Sequence, residues 1–173
     1  MRKYTIFHLE IRKLDLNDLV SLAIFFAIDV GRLCLNIFSQ AEKYKFFYDV
    51  GFAFIMIFIM VSSFAACFSS LYFSIYWFLL SVLYVVEGDR ALSYFCLLLF
   101  ILCHIVRLLF IRRYKIEFVP PEPLKGRFRS VYSELEGRSS DKRDNTYMSI
   151  IIWGATFILI WCIMLSGKKV WAL

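Results

Sequence analysis

The sequence lacks the short motifs that mark most enzyme classes. Its 173 residues contain no nucleophile elbow, no phosphate-binding glycine loop, no H-E-x-x-H motif and no carboxylate pair with a histidine partner. Its five cysteines stand singly, without a C-x-x-C pair or a nearby histidine cluster: Cys34, Cys67, Cys96, Cys103 and Cys162. We therefore expect no enzyme, no cofactor, no metal site and no disulfide framework, with the cysteines serving as small packing residues.

Two further signals of secretion are also missing. No N-x-S/T acceptor occurs, so nothing points to glycosylated luminal loops. The N-terminal segment, residues 1–18, mixes Arg2, Lys3, Arg12 and Lys13 with apolar residues, and the apolar run after it lasts to Phe38 without a small-residue cleavage site. This pattern excludes a cleavable signal peptide and favours a basic amphipathic segment on a membrane surface.

Apolar residues are what the chain has in excess. They make up 61% of the sequence, whereas globular domains contain about 45–50%. Several apolar runs reach about 20 residues, the length that spans a hydrocarbon core of about 30 Å. We expect an all-α integral membrane protein, a bundle of four to five transmembrane helices in the plasma membrane or an endomembrane.

The apolar runs divide the chain into segments. A four-span bundle over residues 19–113 is predicted, with spans at 19–38, 47–68, 71–86 and 92–111, and a fifth span at 148–165 before a tail at 166–173. Residues 114–147 contain Pro120, Pro121, Pro123 and many charges, which is typical of a polar, partly disordered loop. Asp15, Asn17 or Asp18 is available to cap the first helix.

Charge indicates the orientation. The N-terminal segment and the polar loop, counted together with Arg112 and Arg113, carry thirteen Lys and Arg, against five on the opposite side of a five-span chain. A cytoplasmic N-terminus follows, with the Glu87 turn and the C-terminus outside, unless the short third span is re-entrant. The loop also carries six acids, so a nucleic-acid footprint is not predicted.

Polar residues inside the apolar runs are candidate site residues because a charge in a membrane is costly. Asp29 and Arg32 are three residues apart and share a helix face, where an ion pair would either fix the helix against a neighbour or line a path for lipid or ions. Asn36 lies in the same run. His104 and Arg107 repeat this spacing, and Asn36 or Asp49 is expected to face them from another helix.

The same residues also have plainer interpretations. Arg107 can extend to the lipid headgroups, and His104 can be a hydrogen-bonded packing residue rather than a ligand or proton relay. A third stretch combines both possibilities: Glu87, Gly88, Asp89 and Arg90 form a polar hinge that breaks the helix at Gly88 and offers an acid to cap the next helix. Small residues four apart predict a helix-packing face on the second span: Ser62, Ala66 and Ser70.

The hinge carries a resemblance to a known family. The segment Tyr84-Val85-Val86-Glu87-Gly88-Asp89-Arg90 is similar to the aromatic-Asn-x-x-Glu-Gly-x-Thr-Arg segment of XK-related membrane proteins, although the Asn is apolar here and the turn is one residue shorter. The stretch from Gly31-Arg32-Leu33 to Phe38-Ser39 resembles the arginine-led span that precedes it. The resemblance covers roughly residues 19–165, the C-terminal half of such proteins, and places Arg32, Glu87, Gly88 and Arg90 on matching positions.

That family contains phospholipid scramblases, some of which act with a single-pass partner or bind a lipid-transfer protein. The resemblance thus implies phospholipid scrambling, or an accessory role beside a scramblase-like protein, and it implies that the hinge faces the cytoplasm. Membrane lipids and another membrane protein are the expected partners. Two alternatives remain open: a structural or assembly subunit of a larger membrane complex, docked through the small-residue face, and an ion or proton conductor that depends on His104.

Overall fold

Five α-helices form the described part of the chain in a computed structural model, which describes residues 5–6, 9–11, 13–38, 42–61, 68–88, 91–116, 118 and 142–170. The helices are α1 (Leu16–Phe38), α2 (Glu42–Val61), α3 (Leu71–Glu87), α4 (Phe95–Tyr114) and α5 (Lys142–Val170), with a 3₁₀-helix at Ala91–Tyr94 before α4. Two-residue strands β1 (Thr5–Ile6) and β2 (Leu9–Glu10) pair as a short antiparallel ribbon. The predicted all-α fold class is confirmed.

Within the described residues, three helical segments are long and apolar enough to cross a membrane: Leu16–Phe38, Ala91–Tyr114 and Lys142–Ser166. α3 is a shorter apolar helix. Large apolar side chains cover the outside of these helices, as Trp153, at 73% exposed, and Phe157, at 69% exposed, do on α5. A continuous apolar surface of this kind suits contact with lipid rather than with water. The number of spans stays a prediction.

Polar residues form the N-terminal ends of α1 and α5. Asp15 caps α1, since its carboxylate accepts from the Asp18 N–H at 2.9 Å while the Asp18 carboxylate accepts from the Asp15 N–H at 3.0 Å. This reciprocal pair is a capping box, and it confirms the predicted cap. α5 begins at Lys142, inside the stretch predicted as a loop, because polar residues extend its apolar run by more than a turn. Residues 119–141 of that predicted loop lie outside the described residues.

Residues 62–67, between α2 and α3, lie outside the described residues. α2 begins at Glu42, before the predicted start of the second span, and its described part ends at Val61. Ser62 and Ala66 of the predicted helix-packing face lie outside the described residues. Ser70 is the N-cap of α3 rather than a residue of α2, and its hydroxyl accepts from the Phe73 N–H at 3.4 Å. A serine is favoured at this position because its oxygen satisfies an otherwise unpaired N–H of the first turn.

The helices pack in a closed ring whose order is α1, α2, α5, α4, α3 and back to α1. Contacts between named residues give the chain directions. Arg32, near the end of α1, meets Asp49, near the start of α2, and Tyr84, near the end of α3. Phe78 of α3 packs against Phe100 of α4, and Phe110 of α4 against Tyr147 of α5. Successive helices therefore run in alternating directions, so the bundle has two distinct ends.

We call these the hinge end, which contains Glu87 and Gly88, and the basic end, which contains Arg112 and Arg113. Between them lies a core of aromatic rings in tilted and edge-to-face contact. Phe25 packs on Trp77 with ring centroids 4.7 Å apart, and Phe68 packs on Trp77 at 5.0 Å. This aromatic layer separates the polar groups of one end from those of the other.

Candidate functional site

The first polar cluster is an ion pair bridged by a tyrosine at the hinge end. Arg32 of α1 forms a salt bridge with Asp49 of α2. Tyr84 of α3 accepts from Arg32 Nη1 at 3.0 Å and donates to Asp49 Oδ1 at 2.6 Å. The three side chains are almost completely buried. Because the hydroxyl bonds to both charged partners, this cluster ties three helices together at one depth.

Asp29 does not form the predicted ion pair with Arg32. The guanidinium turns to Asp49 of the neighbouring helix instead, and neither carboxylate oxygen of Asp29 has a hydrogen-bond partner among the described residues. Asp29 is nevertheless only 2% exposed. The predicted shared face is present, since the buried positions of α1 recur at helical spacing: Asp18, Ser21, Phe25, Asp29 and Arg32. The pairing failed because a partner on α2 competes with the partner on α1.

The hinge packs directly on the same cluster. α3 ends at Glu87, and the N–H of Gly88 donates to the Val85 carbonyl at 3.2 Å, which confirms the predicted helix break. A Cβ at Gly88 would overlap the Ser93 hydroxyl and lie 3.2 Å from Arg32 Nη2. Any residue can adopt the backbone conformation of Gly88, whose φ is −105°. Glycine is required here because Ser93 and Arg32 leave no space for a side chain. Asp89 and Arg90 lie outside the described residues.

Asn36 also belongs to the hinge end. Its side-chain amide donates to the Glu87 carbonyl at 3.2 Å and so holds the end of α1 to the end of α3. The expectation that Asn36 or Asp49 faces His104 and Arg107 is therefore wrong. Both residues lie at the hinge end, because α1 and α2 meet there, whereas His104 and Arg107 lie toward the basic end of α4.

The second polar cluster joins α4 to the start of α3. Arg107 Nη1 donates to the Phe68 carbonyl at 3.2 Å, and the Ser74 hydroxyl donates to the same oxygen at 3.2 Å. His104 lies one turn away and packs its ring on Phe100, with centroids 4.3 Å apart. Its Nε2 has no hydrogen-bond partner among the described residues. Arg107 is only 7% exposed, so the interpretation that it extends freely to the headgroups is wrong.

An open groove of about 440 Å³ lies against this second cluster. Its walls are one face of α3 and one face of α4, with Leu9 of the N-terminal ribbon at one edge. Most of the lining is apolar, and the polar lining residues are Ser74, His104 and Arg107. The volume lies within the range of about 300–1,000 Å³ that small-molecule sites occupy. The groove combines an apolar wall with a cation and a histidine nitrogen.

The structure therefore divides the predicted site residues between two places. Ser74 and Tyr84 are ten residues apart on α3, which corresponds to about 15 Å along a helix. Asp29, Arg32, Asn36 and Glu87 lie at the hinge end, and His104 and Arg107 lie beside the groove. The predicted contact of Asn36 or Asp49 with His104 and Arg107 does not form.

Sequence reasoning missed several members of both clusters. Asp49 was predicted to face the wrong partners, although an acid inside an apolar run is itself a signal. Tyr84 and Ser74 carry no such signal, since tyrosine and serine are common in apolar helices. At the hinge end, Ser166 of α5 accepts from the Leu92 N–H at 3.0 Å and ties the last helix to the 3₁₀-helix. Only the packing of distant segments reveals these roles.

Neither cluster has the donor set of a metal centre. Across the described residues, no group of three or more His, Cys, Asp or Glu side chains converges on a point where a metal ion could bind. Cys96, Cys103 and Cys162 are buried in the apolar core. Comparisons with protein-family models, with curated protein sequences and with solved structures found no match to this chain.

Proposed function

We propose that this protein is a non-enzymatic, multi-pass membrane protein that handles phospholipid, as a scramblase or as an accessory to a scramblase-like partner. The observation that carries the proposal is the groove between α3 and α4, in which Arg107, His104 and Ser74 are the polar residues of a mostly apolar wall. A lipid that leaves the bulk bilayer needs an apolar surface for its chains and a polar group for its head. The groove offers both.

The division of the polar residues favours the groove over the hinge end as the place of contact with lipid. Arg32 and Asp49 neutralise each other inside the bundle, and each is 2% exposed. Arg107 is also buried, at 7% exposed, but together with His104 it lines the groove. The groove extends along residues 71–79 of α3, about 12 Å at 1.5 Å per residue, whereas the hydrocarbon core is about 30 Å thick. This length covers about one leaflet, which favours an accessory role in a lipid-moving assembly.

Reconstitution tests the proposal. The purified protein, alone and with any partner that co-purifies in mild detergent, is inserted into vesicles that contain dye-labelled phospholipid. We expect an outside quencher to reach more of the dye than in protein-free vesicles. The Leu79→Trp variant, which fills the groove, should remove this gain, and Leu83→Trp, one turn further along α3 and outside the groove, should retain it. Unchanged dye exposure in every arm would contradict lipid scrambling.

A second candidate function is that of an assembly subunit in a larger membrane complex. A row of exposed aromatic side chains on α5 favours it, since Trp153, Phe157 and Trp161 follow at intervals of four residues and the last two rings stack with centroids 6.5 Å apart. In this function the Arg32–Asp49–Tyr84 cluster only fixes the helix positions. Replacing Phe157 and Trp161 with alanine should then abolish co-purification of a partner, while Leu79→Trp should leave it intact.

A further inference from the structure

We propose that the groove between α3 and α4 holds an acyl chain of an anionic phospholipid whose phosphate lies beside Arg107, in the leaflet at the basic end of the bundle. This inference rests on the proposed function in one respect, because it assigns the ligand class to the same groove. It does not require that the protein move lipid across the bilayer.

The polar residues of the groove lie in its half nearer the basic end, where Leu71 and Leu108 also line it, and the other half is apolar. α3 and α4 run in opposite directions, so Ser74 lies level with His104 and Arg107, toward the basic end. Phe78 and Phe100 meet one turn deeper, with ring centroids 6.0 Å apart, and Leu79 lines the same apolar part. A phospholipid is arranged in the same direction, from a polar head at the interface to apolar chains in the middle of the bilayer.

The charge around the groove selects the sign of the head. Among the described residues that line it, Arg107 is the one with a formal charge. Beyond Arg107, α4 continues through Arg112 and Arg113 in its last turn, and Lys115 follows as the C-cap. These cations lie where a helix reaches the headgroup layer, and clusters of this kind attract anionic lipids. The cations at the end of α4 and the guanidinium of Arg107 in the groove wall therefore favour a lipid with an anionic headgroup.

Arg107 and His104 are placed for contact with phosphate rather than for free movement. The hydrogen bond from Nη1 to the Phe68 carbonyl fixes the guanidinium in the wall of the groove, so the group is preorganised for binding a ligand. Guanidinium groups bind phosphate through parallel, charge-assisted hydrogen bonds. His104 Nε2, without a hydrogen-bond partner among the described residues, adds a second polar atom that a phosphate or glycerol oxygen would satisfy.

Photo-crosslinking in nanodiscs tests this inference with the full-length chain. The probes are phosphatidylserine, phosphatidylcholine and a free fatty acid, each with a diazirine in the acyl chain, and crosslinked peptides are identified by mass spectrometry. We expect phosphatidylserine to label residues 71–79 and 100–108 in preference to the outward face of α5. Leu79→Trp should remove this labelling and Leu83→Trp should not. Arg107→Gln should lower labelling of the groove by phosphatidylserine about tenfold, the effect of one lost charge-assisted hydrogen bond to the phosphate.

Each other outcome has a definite meaning. Equal labelling by phosphatidylcholine would refute the preference for an anionic lipid. If the free fatty acid competes fully, the ligand is not a phospholipid. Labelling spread evenly over α5 would refute the groove as the binding site. If the Arg107 variant does not fold, the paired Leu79→Trp and Leu83→Trp variants decide. Labelling confined to the groove in a protein without scrambling activity would refute scrambling and leave this inference standing, whereas scrambling that survives Leu79→Trp without groove labelling would refute the inference alone.

Discussion

At the scale of single residues, the two buried acids of the hinge end have opposite energetic roles. Asp49 neutralises Arg32 and accepts from Tyr84, so Asp49→Asn leaves a buried guanidinium without its counter-charge. Breaking a buried pair in this way costs about 3–5 kcal/mol. Asp29 has no hydrogen-bond partner for either oxygen among the described residues, so Asp29→Asn replaces a buried carboxyl group at no loss of a hydrogen bond.

We therefore expect Asp49→Asn to lower the midpoint of thermal unfolding of the purified protein in mild detergent, and Asp29→Asn to leave it unchanged or raise it. The two substitutions are chemically identical, so each is the control for the other. An equal loss in both variants would mean that Asp29 has a partner that the described contacts do not include. An unchanged midpoint for Asp49→Asn would refute the assignment of the counter-charge to Asp49.

Two glycines give a second contrast between residues. A Cβ at Gly88 would meet the buried Ser93 and Arg32, whereas a Cβ at Gly51, on an exposed face within α2, would meet nothing within 4 Å. Gly88→Ala should cost about 1–3 kcal/mol through overpacking. Gly51→Ala should stabilise by about 0.5–1 kcal/mol, since glycine is disfavoured inside a helix. Thermal unfolding in detergent measures both, and a stabilised Gly88→Ala variant would show that the hinge is not closely packed.

At the scale of elements, the contact between α4 and α5 depends on a small residue. A Cβ at Gly154 of α5 would lie 2.8 Å from a methyl group of Leu102 on α4, so the two helices approach closely there. Gly154→Leu should push them apart and lower the unfolding midpoint, by about 1–3 kcal/mol in free energy. Trp153→Leu, on the outward face of the same helix, should have little effect. Equal midpoints for the two variants would place the close contact elsewhere.

At the scale of the whole molecule, the alternating directions of the helices predict the membrane topology. The link between α3 and α4 and the start of α5 should lie on opposite sides of the membrane, with the link outside if the thirteen Lys and Arg residues face the cytoplasm. The resemblance to XK-related proteins implies the reverse orientation for the hinge.

Cysteine labelling decides between these orientations. In a background where the exposed Cys34 is replaced by serine, Asp89→Cys should react with an impermeant maleimide on intact cells. Lys142→Cys should react only after permeabilisation. The reverse pattern would support the orientation that the resemblance implies. Reaction of both variants on the same side would contradict the alternating arrangement itself.

The sequence by itself determined the all-α class, the capping of α1 and the break at Gly88. Each depends on local chemistry: apolar runs of sufficient length, acids before a helix, and a glycine that ends one. The same reasoning identified Asp29, Arg32, His104 and Arg107 as unusual, because an ionisable residue in an apolar run is detectable without any partner. It placed the start of α5 too late, since the polar first turns of that helix have no apolar period.

Only the tertiary structure decided which of these residues meet. Arg32 pairs with Asp49, 17 positions away, and Tyr84 joins them from a third helix, 52 positions from Arg32. Helical spacing places Asp29 beside Arg32 with equal plausibility, and no local rule ranks the two acids. The groove likewise depends on the packing of α3 against α4, because residues of both helices line it and neither helix forms it alone. Pairing and cavities arise from contacts between distant segments, and those are fixed only when the helices pack.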